Sequence, residues 1–349
     1  MSLLLFLILY IHYNISNNIF IAQAIQSSVD HIIQTPNSTT LNNITAHNET
    51  ETYLDFVSVG DWGCTPETDK TVDNILKRDP HVVIGLGDYS YGDSETCWMD
   101  KIRPIVGLVK IAFGNHENAD NYPLTVLDSL TYSSPELYLA KFGLKNQFYS
   151  FNSGIVHFLI LSTDVSYEKG SPQFEFASDD LKRTSQNSTI KWIIVANHRT
   201  MYPPYYGPSI DLDTSIGNQF RDAYHPLFDL YGVDLVLQGH VHYYQRTYPM
   251  KYNEKDPNVP IITDLHKNFY DNPEGTIFLT VGTGGVGIGR PDNIGKPYYT
   301  VLSNTGIFGI LNIKVKNDGS SFEGTFYNND NNGGDKQVSD SFKIIKNTS

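Results

Sequence analysis

Five short runs carry side chains able to bind metal: Gly60-Asp61-Trp62-Gly63, Gly87-Asp88-Tyr89-Ser90-Tyr91, Gly114-Asn115-His116-Glu117, Val195-Ala196-Asn197-His198 and Gly239-His240-Val241-His242. Together they offer Asp61, Asp88, Tyr91, Asn115, His198, His240 and His242. Carboxylate, imidazole and amide oxygen suit hard to borderline cations, and one carboxylate can bridge two ions about 3.5 to 4 Å apart. A phenolate is a hard, charged donor that favours a trivalent ion over Zn²⁺ or Mg²⁺, so Tyr91 argues for Fe(III) in one position. Each run has a plainer reading on its own. Gly-Asp after a strand is commonly a turn or a helix cap, His-x-His can simply turn two rings to one face, and Tyr91 is one of 23 tyrosines. Their conjunction is what points to two adjacent cations.

Each run follows a strand-like segment, so the surrounding elements must bring these loops to one rim. From Tyr53 an Asn/Thr-rich composition gives way to Leu54-Asp55-Phe56-Val57-Ser58-Val59, then a helical stretch over Thr68 to Lys77, then the apolar run from His81 to Leu86. That order reads as a βαβ unit. Further strands are expected at Lys110 to Phe113, Gln147 to Phe151, Val156 to Leu161, Lys191 to Ala196 and Val233 to Leu237, with helices near Gln173 to Gln186 and Phe220 to Tyr231. After Gly275 the pattern is strand and turn, at Thr276 to Val281, Gly306 to Lys316, Ser321 to Tyr327 and Ser339 to Ile345. These later strands are expected to form or finish a second sheet. The class is α/β, with two sheets face to face and helices outside. In such sheets ligands gather beyond the carboxyl ends of the strands.

The five runs resemble the signature of the purple acid phosphatases, within the calcineurin-like metallophosphoesterases, over roughly Tyr53 to Ile345. The resemblance implies a four-layer α/β/β/α sandwich of two mixed sheets. It implies Asp61, Tyr91 and His242 as ligands of Fe(III), Asp88 as the bridge, and Asn115, His198 and His240 as ligands of a divalent ion, Zn²⁺, Mn²⁺ or Fe²⁺. His116 would be an outer group that binds phosphate or transfers a proton. A metal-bound hydroxide would attack phosphorus in line with the leaving alcohol of a small phosphate monoester. The chain departs from the family pattern after His198, where Arg199-Thr200-Met201 stands and no adjacent His-His pair follows, so the leaving-group acid is unassigned. Arg199 is either a phosphate contact or a structural ion pair. Tyr243-Tyr244-Gln245-Arg246 resembles the large plant forms, yet only some 28 residues separate Ala24 from Tyr53, so their N-terminal β-sandwich is not expected. The same ligand set also permits a phosphodiesterase or nucleotide pyrophosphate hydrolase, or a non-catalytic iron-binding glycoprotein.

Composition bounds the partners. Apolar residues make up 40% of the chain and charged residues 18%, an ordinary globular balance. The net charge of -13 and the absence of a Lys/Arg cluster argue against a nucleic-acid polymer. Residues 1–24 read as a signal peptide, with an apolar run from Leu3 to Ile11 and Ala22-Gln23-Ala24 as a cleavage pattern; an uncleaved anchor is the alternative. Residues 25–52 form a lead segment with acceptor triplets at Asn37, Asn43 and Asn48, and further triplets lie at Asn187 and Asn347, besides Asn14 inside the expected signal. Residues 53–345 are the expected catalytic domain. The product is expected in the secreted or lysosomal lumen, with no stable membrane anchor once the signal is cleaved and with its oligomeric state open. Cys64 and Cys97 either pair there or stay as two buried thiols.

Overall fold

Strands β1 (Tyr53–Val59) and β2 (Val82–Gly85) run parallel in the computed structural model, with Phe56 opposite Val82 and Val59 opposite Gly85. The structure describes residues 53–91, 95–118, 134–203, 212–287, 296–304, 306–329 and 338–347. The signal and lead segments expected over 1–52 lie outside them. Helix α1 (Pro66–Arg78) makes the crossover. Its start is set locally: the Thr65 side chain accepts the N–H groups of Glu67 and Thr68, Pro66 opens the helix, and acidic residues fill the first turn. Helix α2 (Glu95–Lys101) and strand β3 (Val109–Ile111) follow, β3 parallel to β2.

Helix α3 (Pro135–Phe142) leads to an antiparallel pair, β4 (Tyr149–Ser153) and β5 (Val156–Ile160). Then come helix α4 (Pro172–Ser185), strand β6 (Trp192–Ala196), helix α5 (Leu212–Tyr231) and strand β7 (Leu235–Gln238), with β5, β6 and β7 parallel. The remainder is strand: β8 (Tyr244–Thr247), β9 (Met250–Lys251), β10 (Ile261–Ile262), β11 (Phe269–Asp271), β12 (Ile277–Val281), β13 (Thr300–Asn304), β14 (Gly309–Lys316), β15 (Ser321–Asn328) and β16 (Val338–Ile345).

Among the described residues β9 and β10 pair with each other as a separate antiparallel ribbon, and the other strands make two mixed seven-stranded sheets, ordered β11-β16-β15-β14-β1-β2-β3 and β13-β8-β12-β7-β6-β5-β4. The period of two decides which side chains face which layer. On β5 and β6, Val156, Phe158, Ile160, Trp192, Ile194 and Ala196 join the core shared with the first sheet. Leu159, Ile193 and Val195 join instead a core with Phe174 and Leu181 of α4 and Phe220, Tyr224 and Phe228 of α5. Edge-on ring contacts of Phe56 with Phe158 and of Trp192 with Phe322 close the gap between the sheets. The α/β/β/α sandwich implied by the sequence is the fold observed.

The late strands do not form a second sheet together. β12 lies in the second sheet beside β7, parallel to it, whereas β14, β15 and β16 finish the first, β14 pairing antiparallel with β1. An apolar run tells that a strand is buried but not which neighbour it takes. An antiparallel return needs no crossover helix and covers the edge that β1 would otherwise expose. Two helices, α2 and α3, and the short strands β8 to β11 and β13 escaped the sequence reading. α5 also begins eight residues earlier than expected and carries Pro226 inside it.

Cys64 and Cys97 pair in a disulfide, with Cα atoms 6.1 Å apart across 33 positions. The bridge ties the loop after β1 to α2, and thus two of the candidate metal loops to each other. Closing an interval of that length stabilises a fold by about 4 kcal/mol. Urea unfolding of Cys64→Ser/Cys97→Ser is expected to show a loss of that size, and a midpoint unchanged from the oxidised protein would assign the bridge no stabilising role.

Candidate metal centre

Each of the five loops leaves the carboxyl end of a parallel strand: β1, β2 and β3 from the first sheet, β6 and β7 from the second. Backbone bonds lace them together. Asp61 N–H donates to the Gly87 carbonyl at 3.0 Å, Trp62 N–H to the Asp88 carbonyl at 2.9 Å and Gly239 N–H to the His198 carbonyl at 2.9 Å. Only Gly87 of the preceding glycines takes a left-handed φ, +88°. Gly60 and Gly239 are required instead for close approach, since a Cβ there would lie 2.9 Å from Leu86 Cβ and 2.7 Å from Asp61 Oδ2 respectively. The left-handed positions fall on the ligand candidates themselves: φ is +59° at Asp61, +53° at Asp88 and +71° at His240. Non-glycine residues held so cost about 1 to 3 kcal/mol each and cluster at functional sites.

The seven candidates come together as two groups that share one atom. Tyr91 Oη lies 2.9 Å from Asp61 Oδ1, 3.0 Å from Asp88 Oδ2 and 3.0 Å from His242 Nε2, with His242 Nε2 3.2 Å from Asp61 Oδ1. In the second group His198 Nε2 is 3.2 Å from the same Asp88 Oδ2 and 3.1 Å from Asn115 Oδ1. His240 Nδ1 is 3.0 Å from Asn115 Oδ1 and 3.2 Å from His198 Nε2. Donor atoms held about 2.1 Å from one cation sit roughly 3.0 to 3.4 Å from each other in octahedral or tetrahedral sets, so the spacings fit. Protons cannot satisfy them all: the one Tyr91 hydrogen faces three acceptors.

Supporting contacts aim these donors. His198 Nδ1 donates to the Leu86 carbonyl at 2.7 Å, turning Nε2 to the site, and Asp61 Oδ2 accepts the His240 N–H at 2.9 Å. Asp61, Asp88, Asn115 and His198 are buried. Burial disfavours the Asp88 charge, but the His198 imidazole outweighs it and holds the carboxyl far below its usual range. Burial likewise opposes a charged His198, yet Asp88 raises it to about 10. Burial together with His198 lowers His240 to about 4. Burial and the Asp61 and Asp88 carboxylates drive the Tyr91 phenol well up.

His116 stands outside both groups. Its Nε2 is 3.9 Å from Asp88 Oδ2, its ring lies against that of Tyr91 at 4.1 Å, and its N–H donates to Asp88 Oδ1 at 3.0 Å. Arg199 proves to be the structural alternative: it is buried and its Nη2 donates to Asp164 Oδ1 at 3.1 Å.

Glu117 was missed, though it closes the same run as Asn115 and His116. Its fully buried carboxylate accepts three backbone N–H groups, from Asp88 (2.8 Å) and Gly114 (2.9 Å) on Oε2 and from Tyr89 (2.7 Å) on Oε1. It therefore fixes the strained peptide that projects Asp88. Glu117→Ala leaves three buried donors without an acceptor, at about 1 to 3 kcal/mol each. The expected result is a loss of at least about 3 kcal/mol in urea unfolding and a fall in metal affinity of about 10- to 100-fold by equilibrium dialysis; affinity equal to that of the parent would remove Glu117 from the site's support.

Residues 54–244 match the family described as calcineurin-like phosphoesterase. The chain is 28% identical over 246 residues to purple acid phosphatase 21 of Arabidopsis thaliana, covering 66% of this chain and 50% of that one. It is 26% identical over 285 residues to phosphoenolpyruvate phosphatase of Allium cepa, covering 76% and 56%. Among solved structures, the purple acid phosphatase PPD1 from yellow lupin (Lupinus luteus) seeds superposes with a TM-score of 0.70 at 25% identity, over 84% of this chain and 54% of that one. The chain spans about half the length of the curated relatives it matches.

Proposed function

This chain belongs to the calcineurin-like phosphoesterase family, and we propose that within it residues 53–345 act as an acid phosphatase on small phosphate monoesters, at a centre of Fe(III) and one divalent ion. The observation that carries this reading is the Tyr91 oxygen, 2.9 to 3.0 Å from two carboxylates and an imidazole. Asp61, Tyr91 and His242 would hold the ferric ion, Asp88 would serve both ions through Oδ2, and Asn115, His198 and His240 would hold Zn²⁺, Mn²⁺ or Fe²⁺. Bound there, the ions supply Lewis acidity, neutralising phosphoryl charge and acidifying water, the trivalent ion more strongly.

The chain's own groups do the rest. His116, beside Tyr91 and about a quarter exposed, is placed to donate a hydrogen bond to a phosphoryl oxygen. Asp88 Oδ1 holds the His116 backbone and so fixes where that ring stands. His198 and Tyr91 must yield protons before cations can enter, so metal uptake releases acid.

The relative named as a phosphoenolpyruvate phosphatase supports a monoester substrate. The net charge of -13 speaks against polymeric nucleic acid. No helix among the described residues is long and apolar enough to cross a membrane. The disulfide and the glycan acceptor triplets are consistent with secretion or a lysosomal lumen after removal of residues 1–24.

Elemental analysis with a visible spectrum tests the centre. Iron plus one further metal and a broad visible band are expected, and Tyr91→Phe should lose the band while remaining folded. An iron-free protein of full activity would exclude the ferric assignment. A panel pairing a phosphate monoester with a diester at acidic pH tests the substrate class, and preference for the diester would overturn the monoester reading.

A further inference from the structure

We infer that Asn187 carries an N-linked glycan whose first sugars lie in a groove of this protein, on the side away from the metal loops. Asn187, Ser188 and Thr189 form an acceptor triplet on the turn between α4 and β6, and all three are exposed. Within it Asn187 Oδ1 accepts the Thr189 N–H at 3.1 Å and the Thr189 hydroxyl at 2.8 Å. The side-chain oxygen is thus engaged by the hydroxyl residue that the triplet requires. No hydrogen bond among the described residues engages the Asn187 amide nitrogen, the atom that a glycan must occupy.

Beside it is a groove of about 300 Å³ lined in part by Phe151, Asn152, Arg183, Thr184, Asn187 and Ile190. The mixture matches a sugar: the Ile190 side chain for the C–H face, amide and guanidinium for the hydroxyls. Asn152 is held in place, its Oδ1 2.7 Å from His157 Nδ1, while His157 Nε2 meets Asp180 Oδ2 at 2.7 Å. The turn precedes β6, and Asn152 pairs with His157 near the start of β5, so the groove sits at the amino edge of the parallel strands. The metal loops leave the carboxyl edge. A glycan here covers the exposed Asn152 and leaves the metal site open.

The modification is a glycosyl transfer from a glycosyl-diphosphate donor of the export pathway. The amide nitrogen forms a bond to the anomeric carbon, the C–O bond to diphosphate breaks, the diphosphate leaves, and the amide loses one proton. The inference rests on the proposal that the chain is exported. The test uses the full chain secreted from eukaryotic cells, with glycopeptide mapping after enzymatic release of glycans in ¹⁸O water, and hydrogen exchange of this protein against Asn187→Gln. Expected are an ¹⁸O label at position 187, slower exchange over Phe151 to Ser153 in the glycosylated protein, and equal phosphatase activity in both. Label at Asn37, Asn43 or Asn48 with none at Asn187 would overturn the assignment and leave export standing. A chain retained in the cell with no labelled site would overturn export, and this inference with it. A glycan at Asn187 without slowed exchange would overturn the groove as its seat.

Discussion

Asp88→Ala is expected to reduce binding of both ions together and to lower kcat/KM by well over the roughly 100-fold that loss of a merely supporting residue brings. The reason is geometric. Asp88 Oδ2 is 3.0 Å from Tyr91 Oη and 3.2 Å from His198 Nε2, so it is the one atom common to both donor groups. Its partner Oδ1 also holds the His116 N–H. On the proposed two-ion reading, removing the carboxylate would take a ligand from each ion, and it takes the anchor of the His116 N–H in the same step. It also removes the charge that raises His198 to about 10. Asp88→Asn separates the effects, because the amide oxygen can still accept from His116 while the negative charge is gone. Calorimetric titration of metal-depleted protein, with steady-state rates on a monoester, reads both variants. Full activity in Asp88→Ala would sink the shared-ligand assignment.

Asp340→Ala is expected to cost about 3 to 5 kcal/mol, the range for breaking a buried ion pair from one side. Arg246, fully buried on β8, gives Nε and Nη2 to Asp340 on β16 at 2.6 and 2.8 Å. Its Nη1 donates to Tyr270 Oη at 2.8 Å and to the Lys267 carbonyl at 2.7 Å, and Tyr244 Oη donates to Asp340 Oδ2 at 2.7 Å. The guanidinium carbon also lies 4.6 Å from the centre of the Phe342 ring. Since β8 belongs to the second sheet and β16 to the first, this pair clamps the sandwich. Without Asp340 a desolvated cation is left facing neutral groups. Replacing both partners, as Arg246→Met/Asp340→Leu, should recover part of the loss, because no unpaired charge stays buried while the Tyr244 hydroxyl still loses its acceptor, at about 1 to 3 kcal/mol. Urea midpoints at constant slope measure it, and a loss under about 1 kcal/mol for Asp340→Ala would mean that water reaches the guanidinium.

The amino-acid sequence by itself determined the donor types, the strand each one follows and the period of two that buries Phe158 and Ile194 on one side and Leu159 and Val195 on the other. These are local properties: an apolar run, a glycine and a polar side chain are all contiguous in the chain. Tyr91 was informative only because six other donors accompanied it. The tertiary structure alone decided that β12 and β14 belong to different sheets, that Cys64 meets Cys97, that Arg199 turns to Asp164, and that Glu117 gathers three N–H groups. It also decided that the left-handed backbone falls on Asp61, Asp88 and His240 rather than on most of the preceding glycines. The physical reason is common to all of them. Each depends on which distant strands and loops the packed sheets bring together, and that is set by packing summed over the whole sandwich, which no single stretch of sequence encodes.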